Sequence, residues 1–217
     1  MGAITTVWQH AIELLLPSRC VGCGVGRTYL CDACVGRARP APPMPLQPAA
    51  HALDEVTAPL AYEGTARTAV HRLKYSGLRA IAPSMARPMA EALSSAHAPA
   101  DVVVPVPLHP SRLRQRGFNQ ALLLAQHVGD AVGQPVRDDL LVRLVAGTPQ
   151  VDAGTVDERR KNVVGAFGLA PGASVAGLRV VLVDDVLTTG STLSAAATAL
   201  KRGGARSVHA LAFAREQ

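Results

Sequence analysis

The sequence predicts an α/β fold in which a mostly parallel sheet is flanked by helices and preceded by a small four-cysteine module. Three observations carry that expectation. Residues 180–183 (VVLV) and 102–106 (VVVPV) are unbroken apolar runs, too short and too β-branched for helices, as expected of strands buried on both faces. Each is followed by a polar, glycine-bearing loop and then by a stretch of helical length rich in alanine or leucine, the grammar of a doubly covered sheet. The four cysteines all fall between positions 20 and 34, outside that alternation.

Taken in order, Trp8, Ile12, Leu15 and Leu16 recur at helical spacing and predict an amphipathic helix over residues 5–16, ended by Pro17. Cys20, Cys23, Cys31 and Cys34 follow as C-x2-C-x7-C-x2-C. Two such knuckles can turn their thiolates toward one tetrahedral ion, so a structural zinc site is expected, with two disulfides or free thiols as the alternatives. Residues 38–50 are too proline-rich for helix or central strand and read as a linker, which sets a boundary near residue 50. Two units are therefore expected: 1–50, holding the helix, the cysteines and the linker, and 51–217, the main domain. In the second unit, residues 56–62 suggest a strand and 66–73 a helix that ends in the basic turn LKYSG (residues 73–77), read either as a solvated helix end or as part of a site. Residues 80–96 predict a helix kinked at Pro88. A strand over 101–108 is expected to leave the sheet at Pro105 and Pro107, which stop ladder pairing. The loop at 109–120 (HPSRLRQRGFNQ) gathers Arg112, Arg114 and Arg116 around Gly117 and Asn119, ahead of a helix over 119–132. Guanidinium groups and the amides of a helix start suit a diphosphate, although a DNA backbone would satisfy the same charges. A short strand is expected at 140–144, then a polar loop over 145–161 with Gln150, Arg159 and Asn162 in or beside it. Phe167 to Leu169 lead back toward the sheet, and a closing strand is expected at 207–213.

The most informative stretch is RVVLVDDVLTTGST, residues 179–192. Its strand is expected to end at Asp184 and Asp185, and ligands of open α/β sheets bind at such carboxyl ends. Thr188, Thr189, Gly190, Ser191 and Thr192 then offer hydroxyls and amides at the start of the next helix, whose dipole favours an anion. The two acids are placed to accept hydrogen bonds from sugar hydroxyls or to hold a divalent ion.

Composition narrows the partners. At 217 residues and 48% hydrophobic the chain can bury a core, while 3% aromatic content leaves few platforms for stacking bases. A formal charge of +6 and a pI near 9.6 favour a polyanionic partner, either a phosphorylated small molecule or nucleic acid. No run approaches the roughly twenty apolar residues that cross a bilayer. Residues 4–16 contain His10 and Glu13 and lack a secretory pattern, so a cytoplasmic location without a membrane span is expected.

The stretch VLVDDVLTTGST resembles the 5-phosphoribosyl-1-pyrophosphate (PRPP) motif of the type I phosphoribosyltransferases. With the paired cysteines, LKYSG, PVPLH, RGFNQ and the Arg159/Asn162 pair in the same order, the chain from about Cys20 onward resembles the ComF family. That resemblance implies a type I phosphoribosyltransferase-like domain with an N-terminal zinc module, acting in competence and DNA uptake or in nucleotide metabolism. It implies that Asp184 and Asp185 meet the ribose hydroxyls and that 188–192 hold the 5-phosphate. Arg116, Gly117 and Asn119 would hold the diphosphate, with magnesium bridging diphosphate and ribose oxygens. Its partners would be PRPP, single-stranded DNA and DNA-processing proteins. The reaction implied is phosphoribosyl transfer with release of diphosphate to an acceptor that the sequence does not name. The alternative is a non-catalytic module that senses PRPP and binds single-stranded DNA.

Overall fold

The structure, a computed structural model, describes residues 18–42, 52–97, 99–144 and 165–216. The expected N-terminal helix, most of the proline-rich linker and the loop at 145–161, with Gln150, Arg159 and Asn162, lie outside them. In chain order the elements are α1 (Asp32–Arg37), β1 (Glu55–Thr57), β2 (Leu60–Ala61), α2 (Gly64–Tyr75), a 3-10 turn (Arg79–Ile81), α3 (Ala82–Ser95), β3 (Val102–Pro105), α4 (Pro110–Arg116), α5 (Gln120–Val132), β4 (Leu141–Arg143), β5 (Phe167–Leu169), β6 (Arg179–Leu187), α6 (Ser191–Arg202) and β7 (Ser207–Arg215).

The main sheet is parallel throughout, in the order β1-β7-β6-β3, with β2 continuing along the edge of β7 that β1 occupies. A single strand was expected over 56–62. Pro59, which cannot donate to a ladder, falls between the two short pieces found there. A second, two-stranded antiparallel sheet pairs β4 with β5. Among the described residues no helix is long and apolar enough to cross a membrane.

Both faces of the main sheet are covered, which explains the continuous apolar runs. In β6, Val181 and Val183 point into one core with Leu73, Met85, Met89, Leu124 and Phe213. Val180 and Leu182 point into the other, with Phe167, Leu193, Ala196 and Leu200. The first core is built by α2, α3 and α5, the second by α6 and the small sheet. Each fully buried leucine or phenylalanine is worth roughly 1.5–3 kcal/mol over its exposed state, so these two cores hold the helices to the sheet. Pro88 is buried within α3, which continues through it to Ser95. At the amino ends of β3 and β6, Arg179 donates from its backbone N (2.8 Å) and its Nε (3.0 Å) to Asp101 Oδ2. This clamp fixes the register that presents the opposite, carboxyl ends side by side.

The cysteine segment packs onto the body. Cys20, Leu30 and Cys34 are buried in the same core as α2 and α3. Thr28 and Ser84 hydroxyls meet at 3.2 Å, and Arg87 of α3 pairs with Asp32.

Candidate ligand site at the carboxyl edge of the sheet

The site is created by unequal strand lengths. β6 pairs with β7 at both of its ends, from Arg179 opposite Ser207 through Asp184 opposite Ala212, and again at Val186 and Leu187 opposite Ala214 and Arg215. With β3 it pairs only as far as Val183 opposite Pro105, and the last bond on that side is Val106 N donating to Val183 O (2.9 Å). Beyond it, Pro107 has no N–H to offer and the chain turns away. Asp184 and Asp185 therefore sit where the sheet opens. The expectation that the strand ends at the acids is corrected: it runs on to Leu187 because β7 extends far enough to pair with it.

Strand alternation sends the two acids to opposite faces. Asp185 is 2% exposed and faces α2, where Lys74 Nζ lies 2.7 Å from its Oδ2. Asp184 is partly exposed, and its Oδ1 accepts from Asp185 N at 2.8 Å. Burial, reinforced by the adjacent Asp185 carboxylate, pushes Asp184 up to about 8, against the pull of Lys74. Across from Asp184, burial and the nearby Arg112 guanidinium lower Arg143, partly offset by Asp184 itself. Arg143 also lies over the Phe167 ring at 5.0 Å.

Past the acids, Thr188 and Thr189 are exposed and Gly190 stands at φ 74°, a conformation that suits glycine. Gly190 is the N-cap of α6 and brings no side-chain cap, so the first amides of that helix stay open to a ligand apart from Ser191 N, which Thr189 Oγ1 meets at 3.4 Å. The Thr189 and Ser191 hydroxyls are 2.9 Å apart, and Thr192 follows in the first turn.

The arginine loop is partly a helix. Pro110 occupies its first turn, where its missing N–H costs nothing, and His109 Nδ1 accepts from Ser111 N at 3.2 Å. α4 ends at Gly117, φ 77°, whose N–H donates to Leu113 O (2.7 Å). Asn119 is engaged at both ends of its amide: Oδ1 caps α5 by accepting from Ala121 N (3.0 Å), and Nδ2 donates to Val106 O (3.0 Å). Arg116 bonds to Gln120 Oε1, and its guanidinium lies 5.7 Å from the Tyr75 ring.

Three cations at this edge were not singled out from the sequence as ligands of the site. Lys74 belongs to the LKYSG turn and is 111 positions from its partner. Arg143 ends a three-residue strand with no motif around it. Arg79 lies over the Phe118 ring at 4.5 Å and donates from Nη2 to Gly117 O at 3.4 Å. Only the first carried a sequence signal, the basic end of a helix.

At the other end of α2 the four cysteine sulfurs lie within 4.8 Å of one another, with Cys23 and Cys31 at 3.7 Å. A tetrahedral ion with sulfur at about 2.3 Å requires edges near 3.8 Å, so this cluster can hold a metal ion. Burial would raise the Cys20 thiol, but the backbone N–H groups of Cys31, Cys23 and Gly22 outweigh it and bring Cys20 down to about 6. Burial pushes Cys34 up to about 12, against its bond from Arg37.

Comparison with known proteins agrees with this architecture. Residues 120–217 match the phosphoribosyl transferase domain family. The chain is 35% identical over 144 residues to the DNA utilization protein YhgH of Salmonella typhi, a match covering 64% of this chain and 62% of that one. It is 35% identical over 116 residues to competence protein F of Haemophilus influenzae (53% and 50% covered) and 32% identical over 122 residues to competence protein ComFC of Bacillus subtilis (52% and 44%). The matched part thus spans less than two thirds of these relatives. Among solved structures, a glutamine phosphoribosylpyrophosphate amidotransferase from B. subtilis is similar at 24% identity and a TM-score of 0.41, covering 59% of this chain and 25% of that one.

Proposed function

We propose that the chain, which is similar to ComF-type competence and DNA utilization proteins and carries a phosphoribosyltransferase-like domain, binds PRPP at the carboxyl edge of its sheet and transfers the phosphoribosyl group to a nucleophilic acceptor with release of diphosphate. One observation carries the reading. The acid-bearing strand β6 and the strand that feeds the arginine segment, β3, are neighbours, and Asn119, Val106 and Val183 tie their exits together by two backbone-mediated bonds of 3.0 and 2.9 Å. An anion loop and a cationic turn are thereby held side by side, as a phosphorylated sugar diphosphate requires.

In this reading Asp184 and Asp185 accept from the ribose hydroxyls, while the amides and hydroxyls of 188–192 hold the 5-phosphate at the start of α6. Arg116 and Arg112 stabilise charge on the departing diphosphate, an electrostatic contribution that grows as the bond to C1 breaks. The role of Gly117 is to let the backbone approach the diphosphate, and that of Asn119 is to hold the turn. Magnesium, when bound with the ligand, supplies neutralisation at the diphosphate and ribose oxygens. Asp184, the more exposed of the two acids, would face it, while one oxygen of Asp185 is engaged by Lys74. The four cysteines hold a structural zinc ion that closes the N-terminal module, which we assign to residues 1–50 ahead of the transferase-like unit at 51–217. The setting proposed is cytoplasmic handling of DNA or nucleotides, with single-stranded DNA and DNA-processing proteins as partners.

Calorimetric titration of PRPP with magnesium tests the site. The Asp184→Asn, Asp185→Asn double variant is expected to lose most of the affinity, and an unchanged affinity would overturn the assignment. Diphosphate release across a panel of bases and nucleosides tests turnover. A second reading, a PRPP-sensing module that binds single-stranded DNA without catalysis, is favoured by Tyr75. Its ring is 70% exposed, lies 4.8 Å from His71 and sits beneath Arg116, a ledge on which a base can stack. Tyr75→Ala is expected to weaken DNA binding, and that binding is expected to fall with salt.

A further inference from the structure

Lys74 is held at the acid pair by the core beneath it. Leu73 and Val70 of the same helical turn are fully buried, so the last turn of α2 has little freedom. The Lys74 side chain is only 19% exposed. Its ammonium reaches Asp185 Oδ2, the oxygen closed off from solvent, at 2.7 Å, as an ion pair. Stability alone does not call for such a pair, because apolar residues of equal volume in place of a buried ion pair are often neutral or stabilising. A carboxylate that must stay in one orientation at the mouth of a ligand site does call for it. Lysine in the last turn is also favoured by the helix dipole, so α2 delivers this cation at little cost.

We propose that Lys74 is a positioning residue for the sugar-binding acids: it engages one oxygen of Asp185 from behind and leaves the other to accept from a ribose hydroxyl, without itself touching the ligand. The inference rests on the PRPP reading above and adds to it a residue from a helix that belongs to neither binding loop. It also gives LKYSG a role, with Lys74 turned inward to Asp185 and Tyr75 turned outward beneath Arg116.

The test compares three ligands, PRPP, ribose 5-phosphate and inorganic diphosphate, against the wild-type chain, Lys74→Met, Asp185→Asn and the Lys74→Met, Asp185→Asn double variant. Lys74→Met is expected to weaken PRPP and ribose 5-phosphate roughly tenfold or more, the usual scale for a charge-assisted bond, while diphosphate, which does not use the acids, changes less than about twofold on the same scale. The double variant removes both charges, leaves no lone buried ion, and is expected to bind no worse than Asp185→Asn alone. Wild-type affinity for PRPP in Lys74→Met, with affinity lost in Asp185→Asn, would overturn the proposal and leave the PRPP site standing. An added loss in the double variant would also overturn it, by showing that Lys74 touches the ligand. Failure of the wild-type chain to bind PRPP at all would instead remove the parent reading. If Lys74→Met alone fails to fold, Lys74→Gln takes its place in the same comparison, with the same outcomes deciding.

Discussion

Negative groups gather at both ends of α2, and the chain treats the two gatherings differently. Near its first turn, four cysteine sulfurs lie within 4.8 Å, and the side-chain cation bonded to them among the described residues is Arg37, at 3.7 Å from Cys34 Sγ. At its last turn, Asp185 has its own lysine at 2.7 Å while Asp184 is left to face the opening. The cysteine cluster can hold an ion from outside. The acid pair is half neutralised by the protein itself, so it can stand formed before a ligand arrives, with Asp184 left to exchange its proton for a cation or to hydrogen-bond a ligand.

That contrast can be broken in four ways. The largest effect is expected from Cys34→Ser, which removes a buried ligand and with it the metal. The N-terminal module should loosen at a cost on the order of 5 kcal/mol, read as loss of metal in elemental analysis and a lower melting temperature. Asp185→Ala should cost about 3 kcal/mol, because it strands the Lys74 ammonium in the core. Asp185→Ala combined with Lys74→Met should recover much of this, in a melt without ligand. Third is pH. Asp184 is raised in the fold from its ordinary 3.8 to about 8, so the folded chain holds a proton there that the unfolded chain releases. Its contribution to stability is full below about pH 4 and is lost as pH rises toward 8. Asp184→Asn should flatten that part of the melting curve against pH, and a slope unaffected by the substitution would exclude Asp184 as its source. The smallest effect is expected from Arg87→Ala, which removes an exposed pair with Asp32 between α3 and α1. Its melting temperature should barely move, although the cysteine segment loses a side-chain tether.

The sequence was most legible where structure is local. The apolar runs beginning at 102 and 180 form the buried strands Val102–Pro105 and Arg179–Leu187, and the hydroxyl-rich stretch at 188–192 leads into a helix, because adjacency in the chain is enough to define both. It was least legible where neighbours decide. Nothing in residues 184–187 says that they remain in a strand, since the reason is the length of β7. The α4 helix was hidden by the turn-forming look of HPSRLRQRG, whose Pro110 and Gly117 in fact mark its start and its stop. The Lys74 partnership lies across 111 positions, and the orientation of a helix end within a core cannot be counted from spacing. Aromatic scarcity leaves few stacking surfaces, and two of the few rings in the chain, Tyr75 and the buried Phe118, lie under arginines at the carboxyl edge.

Gly22 touches the start of α2 closely: a Cβ there would lie 2.8 Å from Cys34 Sγ and 2.9 Å from Thr65 Cγ2. The same helix, about 18 Å long at 1.5 Å per residue, ends at the lysine that holds Asp185. A metal held by the cysteines at one end of this helix and a ligand held by the acids at the other, as proposed above, would obey thermodynamic reciprocity. By whatever factor metal occupancy alters ligand affinity through α2, bound ligand alters metal affinity by the same factor, so the equilibrium affinity for the ion, read by competition with a chelator, would report on the occupancy of the distant site.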